Sequence, residues 1–165
     1  VYKNAVDIII HALKELPENF HLWILGDGSL RKQLESLTKK LNLTQRVHFK
    51  GLVSNSSIIH YLNASDIFVR PSRSEGMGNS FIEAMAAEVP VIATPVGGIP
   101  DFLRDGETGL FCEVNNPKSI ADKVMEYINN SELRSRIIRS AKKMVLEKYD
   151  WDLIAKEMKS KVFAV

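Results

Sequence analysis

The spacing of apolar positions changes period repeatedly along the chain. Val6, Ile9, Ile10, Leu13 and Leu16 recur at helical spacing, and Pro17 closes that segment. Phe20 to Leu25 reads as a strand, with Gly26-Asp27-Gly28 as its turn. Leu30, Leu34, Leu37 and Leu41 mark a second helix. Val47-His48-Phe49 predicts a short strand ending at Gly51, and Ser54 is placed to cap a helix carrying Ile58, Ile59 and Leu62. Asp66 to Arg70 predicts a strand stopped by Pro71. Asn79 to Glu88 reads as helix, Val91-Ile92-Ala93 as a short buried strand, and Gly109 to Cys112 as another. Strands alternating with helices imply parallel pairing through crossover helices, an open α/β sheet covered on both faces. From Pro117 onward only helices are predicted. Pro117 suits a first helical position, Ser131 is placed to cap the next helix, and Asp150-Trp151 to open a last one.

Composition narrows the class. The chain has 165 residues, which suits one domain over residues 1–165. Apolar residues make up 45% and charged residues 25%, a globular balance. The formal charge of +2 is too small for nucleic acid or a strongly anionic membrane to be the main partner. Residues 118–165 are more basic, with eleven Lys/Arg against seven Asp/Glu. A solvated helical face is the first reading of that excess, and a membrane-surface contact the weaker one. Cys112 stands alone, which excludes an intrachain disulfide framework and a multi-thiolate metal site. No apolar run approaches the roughly 20 residues of a membrane span. Val1-Tyr2-Lys3 leads straight into an amphipathic pattern, so no signal peptide is expected. The sequons at Asn42, Asn55, Asn63 and Asn129 therefore read as chance. His11, His21, His48 and His60 lack zinc spacing, and no metal site is expected. Asp150-Trp151-Asp152 is formally a D-x-D, but a helix cap is the better reading.

Open α/β sheets bind ligands at the carboxyl ends of their strands. Three such ends are unusual here. Gly26-Asp27-Gly28-Ser29 lacks a dinucleotide fingerprint, because Arg31 stands where a third glycine is needed; a tight turn is the favoured reading. Pro71 to Ala86 is the most informative stretch. Gly76 and Gly78 precede a helix, so backbone can approach a ligand while free N–H groups of the helix start face it, which suits a phosphate. A carboxylate about 4 Å from a phosphate charge is repelled by roughly 4 kcal/mol at an effective dielectric near 20. Glu75 and Glu83 therefore suit hydroxyl groups on either side of the phosphates, a sugar and a ribose. The plainer readings are a solvated loop residue for Glu75 and a first-turn helix-dipole partner for Glu83. Thr94 to Asp101 holds the pair Gly97-Gly98, whose plain reading is a strand-to-helix turn needing positive φ.

The run Glu75-Gly-Met-Gly-Asn-Ser-Phe-Ile-Glu83 resembles the E-x7-E signature of the C-terminal, donor-binding domain of retaining family 4 glycosyltransferases, which have the GT-B fold. Lys3-Asn4, Leu25 to Gly28, Val47 to Gly51, Ala64 to Ser72, Val89 to Pro100, Asp105 to Leu110 and Tyr149-Asp150-Trp151 fall in family order, so the resemblance covers nearly the whole chain. It implies a Rossmann-like doubly wound parallel sheet, one half of a GT-B fold, with extra C-terminal helices. It also implies a hexosyl transfer with retention, without a metal or other cofactor, from a UDP- or GDP-sugar to a glycan or lipid-linked acceptor. By the same resemblance Glu75 contacts the donor sugar and Lys3 neutralises the leaving diphosphate. Glu83 holds the ribose, the backbone of Gly76, Gly78, Asn79 and Ser80 takes the diphosphate, and the base lies against Leu52-Val53. A cytoplasmic location follows, at a membrane face where the acceptor is lipid-linked.

Two departures accompany the resemblance. Glu88 stands where the family has glycine, so a standard left-handed helix end is not expected there. The family's first strand, its arginine loop and its N-terminal acceptor domain are expected upstream of this chain, and the fragment alone is expected to be inactive. In the usual strand order the predicted strands near 20–26 and 66–70 then flank the place of the first strand without pairing to each other. A nucleotide-sugar epimerase, a phosphorylase and a non-catalytic nucleotide-binding module are the alternatives.

Overall fold

The computed structural model describes residues 2–150, 155–156 and 158–160. A short 3-10 turn, Tyr2–Asn4, leads into α1 (Val6–Lys14) and β1 (Leu22–Leu25). Then follow α2 (Arg31–Lys40), β2 (Val47–Gly51), α3 (Asn55–Asn63), β3 (Phe68–Arg70) and α4 (Asn79–Ala86). After β4 (Val91–Ala93), a 3-10 turn at Ile99–Asp101 and β5 (Leu110–Phe111), the chain ends in α5 (Pro117–Asn129) and α6 (Ser131–Lys148). The five strands lie where the apolar runs place them, and every ladder between them is parallel.

β4 shows how the layers form. Its three residues are fully buried, so a continuous apolar run is what the position requires. Side chains alternate along a strand. Ile92 accordingly joins Ile10 and Leu13 of α1 and Ile120 and Val124 of α5. Val91 and Ala93 join Phe81 and Met85 of α4 and Val145 of α6. Burying each such large side chain contributes about 1.5–3 kcal/mol. Tyr127 is also fully buried, and its hydroxyl donates to the Val91 carbonyl at 3.0 Å, so no polar atom is stranded there.

Hydrogen bonding divides the strands into two groups, β1 with β2 and β3 with β4 and β5. β1 and β3 share no ladder, as the strand order expects. A groove of about 990 Å³ runs between them, lined by Leu22 and Ile24 on one side and Ile67 and Val69 on the other. Ile9 and Leu13 of α1 cover one face of the groove, and Ile58 and Leu62 the other.

Some local expectations fail. Ser131 is the first residue of α6, not its cap; Asn130 caps it, its side chain accepting from the Leu133 N–H at 2.9 Å. Either residue type serves, and the register of the first turn chooses Asn130. Ser54 does occupy the N-cap of α3, but its hydroxyl meets those of Ser56 and Ser57 instead of a backbone N–H. Glu88 is also a correction. It adopts φ 61° after α4, and the Val89 and Glu88 N–H groups donate to Ala84 and Met85 at 2.9 and 3.2 Å. That is a complete left-handed helix end built on glutamate. Burial of Val89 and an ion pair from Glu88 to Lys142 hold it in place. The helix expected to open at Asp150-Trp151 falls largely outside the described residues, as does most of Asp150-Trp151-Asp152.

Candidate functional site

The carboxyl ends of β3 and β4 and the start of α4 meet at one place. Pro71 to Gly78 connects β3 to α4 there. Gly78 is the N-cap of α4 at φ 70°, and a Cβ on it would lie 2.7 Å from the Phe81 ring, so glycine is required on two grounds. With no capping side chain, the Asn79 and Ser80 N–H groups find no acceptor among the described residues. Gly97, at φ 57°, supports the loop from the β4 side. A Cβ on it would sit 1.8 Å from the Glu75 carbonyl oxygen, and one on Gly98 would sit 2.9 Å from that of Gly76. The glycine pair is thus more than a turn, because it lets two loops touch through their backbones. Ser72 is fully buried in the same loop, its carbonyl accepting from the Thr94 hydroxyl.

Glu75 is held and not solvated. Its side chain is only 7% exposed, and Arg70 Nη2 lies 2.6 Å from its Oε2. The Gly76 N–H donates to Oε1 at 3.2 Å, and Lys3 Nζ stands 3.9 Å from the same oxygen. Lys3 is half-exposed. Glu83 differs: it is exposed, and its carboxylate makes no hydrogen bond or ion pair with another described residue. It is the fifth residue of α4, past the first turn, which corrects its placement as a first-turn dipole partner. Glu83, Ser80 and Val53 line the mouth of the groove between β1 and β3 together with Arg70. Leu52 is strongly exposed beside them. Lys3, Glu75, Gly76, Gly78, Asn79 and Ser80 therefore gather around the α4 start, with Glu83 and Val53 on the groove side.

Two arginines in this arrangement escape a reading of motifs. Arg70 ends β3 and reaches Ser80 Oγ at 2.8 Å and Asn4 Oδ1 at 3.3 Å. Arg73 ties the start of the chain to the loop. Its guanidinium meets both Asp7 oxygens at 2.7 and 3.0 Å, the Tyr2 carbonyl at 2.7 Å, and Asn115 Oδ1 at 2.7 Å. Its N–H donates to the Lys3 carbonyl at 2.7 Å. Burial raises the Asp7 carboxyl, but Arg73 outweighs it and holds the group below its usual 3.8. The available signal is the charge itself: an arginine closing an apolar strand, and another inside a Gly/Ser-rich loop, each need a partner.

The turn at Gly26-Asp27-Gly28 keeps its plain reading. Asp27 accepts from the Gly28 N–H at 2.7 Å and pairs with Arg31 at 3.0 Å. Cys112 is buried, donates to the Ala93 carbonyl at 3.3 Å, and has its thiol pushed up to about 12 by burial. Among the described residues no cluster of three or more His, Cys, Asp and Glu is arranged to hold a metal ion, and no helix is long and apolar enough to cross a membrane.

Comparison with known proteins assigns the chain to a family. The profile described as "Glycosyl transferases group 1" matches residues 1–144. The chain belongs to that family. The chain is 39% identical over 152 residues to an uncharacterized glycosyltransferase of Methanocaldococcus jannaschii, covering 92% of the chain and 42% of the relative. It is 32% identical over 148 residues to the N-acetyl-alpha-D-glucosaminyl L-malate synthase of Bacillus anthracis, covering 89% of the chain and 38% of that enzyme. The chain thus spans less than half the length of these curated relatives. Its fold matches HepE of Anabaena in complex with UDP-glucose at a TM-score of 0.93, with 22% identity, over 100% of the chain and 46% of that protein. The C-terminal domain of the group 1 glycosyl transferase LpcC from Francisella tularensis matches at 0.82, with 28% identity, over 92% of the chain and 82% of that domain. The fold of the chain is the C-terminal half of the GT-B architecture.

Proposed function

We propose that this chain is the donor-binding half of a retaining hexosyltransferase that uses a UDP- or GDP-sugar and serves a glycan or lipid-linked acceptor. The observation that carries the reading is one juxtaposition. A nearly buried carboxylate, Glu75, stands between two cations and beside the unpaired Asn79 and Ser80 N–H groups, with Glu83 free on the other side. The N–H groups at the α4 start and Lys3 suit the diphosphate, whose departure is the charge the protein must stabilise, and no metal is needed for that task. Glu75 then accepts from the sugar hydroxyls, Glu83 from the ribose, and the Leu52-Val53 backbone from the base. The crystallised complex of the structural neighbour HepE with UDP-glucose supports a nucleotide-sugar ligand. The acceptor site belongs to a second, N-terminal domain, and the reaction takes place in the cytoplasm, at a membrane face for a lipid-linked acceptor.

Titration calorimetry with UDP, GDP and their sugar conjugates tests this. The sugar conjugate should bind tighter than the bare diphosphate. Glu83→Ala should weaken both ligands roughly tenfold or more, whereas Glu75→Ala should weaken the sugar conjugate only. Equal losses for both ligands in both variants would refute the division of roles, and no binding of any nucleotide would refute the donor reading.

A further inference from the structure

Arg70 ends β3 and contacts the chain start, the site loop and α4. Its guanidinium is a planar fork that can serve several acceptors at once. Nη1 donates to Ser80 Oγ at 2.8 Å on α4, and Nη2 lies 2.6 Å from Glu75 Oε2 and 3.3 Å from Asn4 Oδ1. The guanidinium also lies 5.7 Å from the Phe81 ring centroid, within cation–π range. The fork therefore joins the chain start, the site loop and α4.

The carboxylate it holds is 7% exposed. A buried carboxylate without a partner is unfavourable by several kcal/mol in the general case, so it either turns outward or takes a proton. Lys3 cannot replace Arg70, because it is half-exposed, stands 3.9 Å away and faces the other oxygen. Ser72 is weaker still, its hydroxyl 3.4 Å from Oε2. Arg70 thus fixes Oε2 and leaves Oε1 as the oxygen on the side of Lys3 and the Gly76 N–H.

We propose that Arg70 is a positioning residue that aims the Glu75 carboxylate at the sugar of a bound nucleotide sugar, and so sets the preference for the conjugate over the bare diphosphate. This inference rests on the donor-site reading above. It differs from a phosphate-binding role, for which arginine is also suited. If Arg70 acts through Glu75, its loss leaves the diphosphate alone and removes the benefit of the sugar.

A double-mutant cycle separates these roles. UDP and UDP-glucose, and GDP and GDP-mannose, are titrated against the parent chain, Arg70→Gln, Glu75→Gln and the double variant, with melting temperature recorded for each. Arg70→Gln should reduce the preference for the sugar conjugate roughly tenfold or more and leave diphosphate affinity within about twofold. The double variant should lose no more preference than Glu75→Gln alone. Arg70→Lys, which keeps the charge but not the fork, should fold and retain part of the preference, and it serves if Arg70→Gln does not fold. Three results overturn the proposal: an undiminished preference in Arg70→Gln or Arg70→Lys, a tenfold loss of diphosphate affinity in either, or additive losses in the double variant. A parent chain that binds nucleotides without preferring the conjugate overturns the donor-site reading along with it.

Discussion

Gly97→Ala is the sharpest perturbation the site offers. The added Cβ would lie 1.8 Å from the Glu75 carbonyl oxygen, whereas a real Cβ stays beyond 3.0 Å, so one loop must move by more than an ångström. The neighbour is backbone and cannot rotate aside. Gly97 also has φ 57°, so alanine incurs about 1 kcal/mol of left-handed strain apart from any clash. Gly106 separates these effects: its φ is 72°, yet nothing lies within 4 Å of a Cβ built on it. Gly106→Ala should lower the melting temperature by about 2–4 °C, the shift that 1 kcal/mol produces in a chain of this size. Gly97→Ala should lower it further and move the amide resonance of Gly76, which donates to Glu75 Oε1. Losing a hydrogen bond to a charged group costs about 1.5–3 kcal/mol, roughly ten- to a hundredfold in affinity. UDP-glucose affinity, measured by calorimetry, should fall toward that figure in Gly97→Ala and hold in Gly106→Ala. Equal melting temperatures and an unmoved Gly76 resonance in the two variants would refute the argument that these loops touch through their backbones.

Two further outcomes follow from local chemistry. Glu88→Gly should raise the melting temperature, by less than about 2–4 °C, because glycine removes about 1 kcal/mol of left-handed strain while loss of the exposed pair with Lys142 offsets part of it; an unchanged or lower value would show the pair to be at least as strong an effect. Asp7→Asn should destabilise the chain at neutral pH, and denaturant titrations at several pH values should show the gap to the parent chain closing in acid. The native carboxyl lies below 3.8, so the stability it contributes is complete well above that value and is lost as pH falls through the native one. A gap independent of pH would exclude the charge on Asp7 as its cause.

Elements were legible in the sequence because each strand is an apolar run bounded by a turn residue. Even β5, two residues long, announces itself through Gly109 before it and the alternation around it. Helix ends were less legible, since they are decided by tertiary contacts. Glu88 is the instructive residue. Local propensity assigns it a penalty of about 1 kcal/mol in the left-handed region. Burying Val89 behind it, and satisfying the last carbonyls of α4, outweighs that penalty. Glu75, Glu83 and Gly78 are legible as candidate residues because they lie within one short motif. Arg70 is not, because its partners lie five, ten and sixty-six positions away, and no local rule joins them.

The groove between the two strand groups bears on how the site is built. Arg70, Glu75, Gly78 and Gly97 all hang on β3, β4 and α4, which share one core. Lys3 and Asn4 reach that half through Arg73 and Arg70 and not through any strand ladder. Val53 follows β2 and so belongs to the other half. A ligand touching Val53 and Glu75 together would span both halves, and its affinity would depend on their separation. The residues proposed above for the sugar and the diphosphate, Lys3 apart, rest on a single packed unit. The loop proposed above for the base, Leu52-Val53, follows β2, in the other strand group. A change in the loop after β2 should therefore affect nucleotide affinity before it affects the geometry of Glu75, because the two sit on different strand groups.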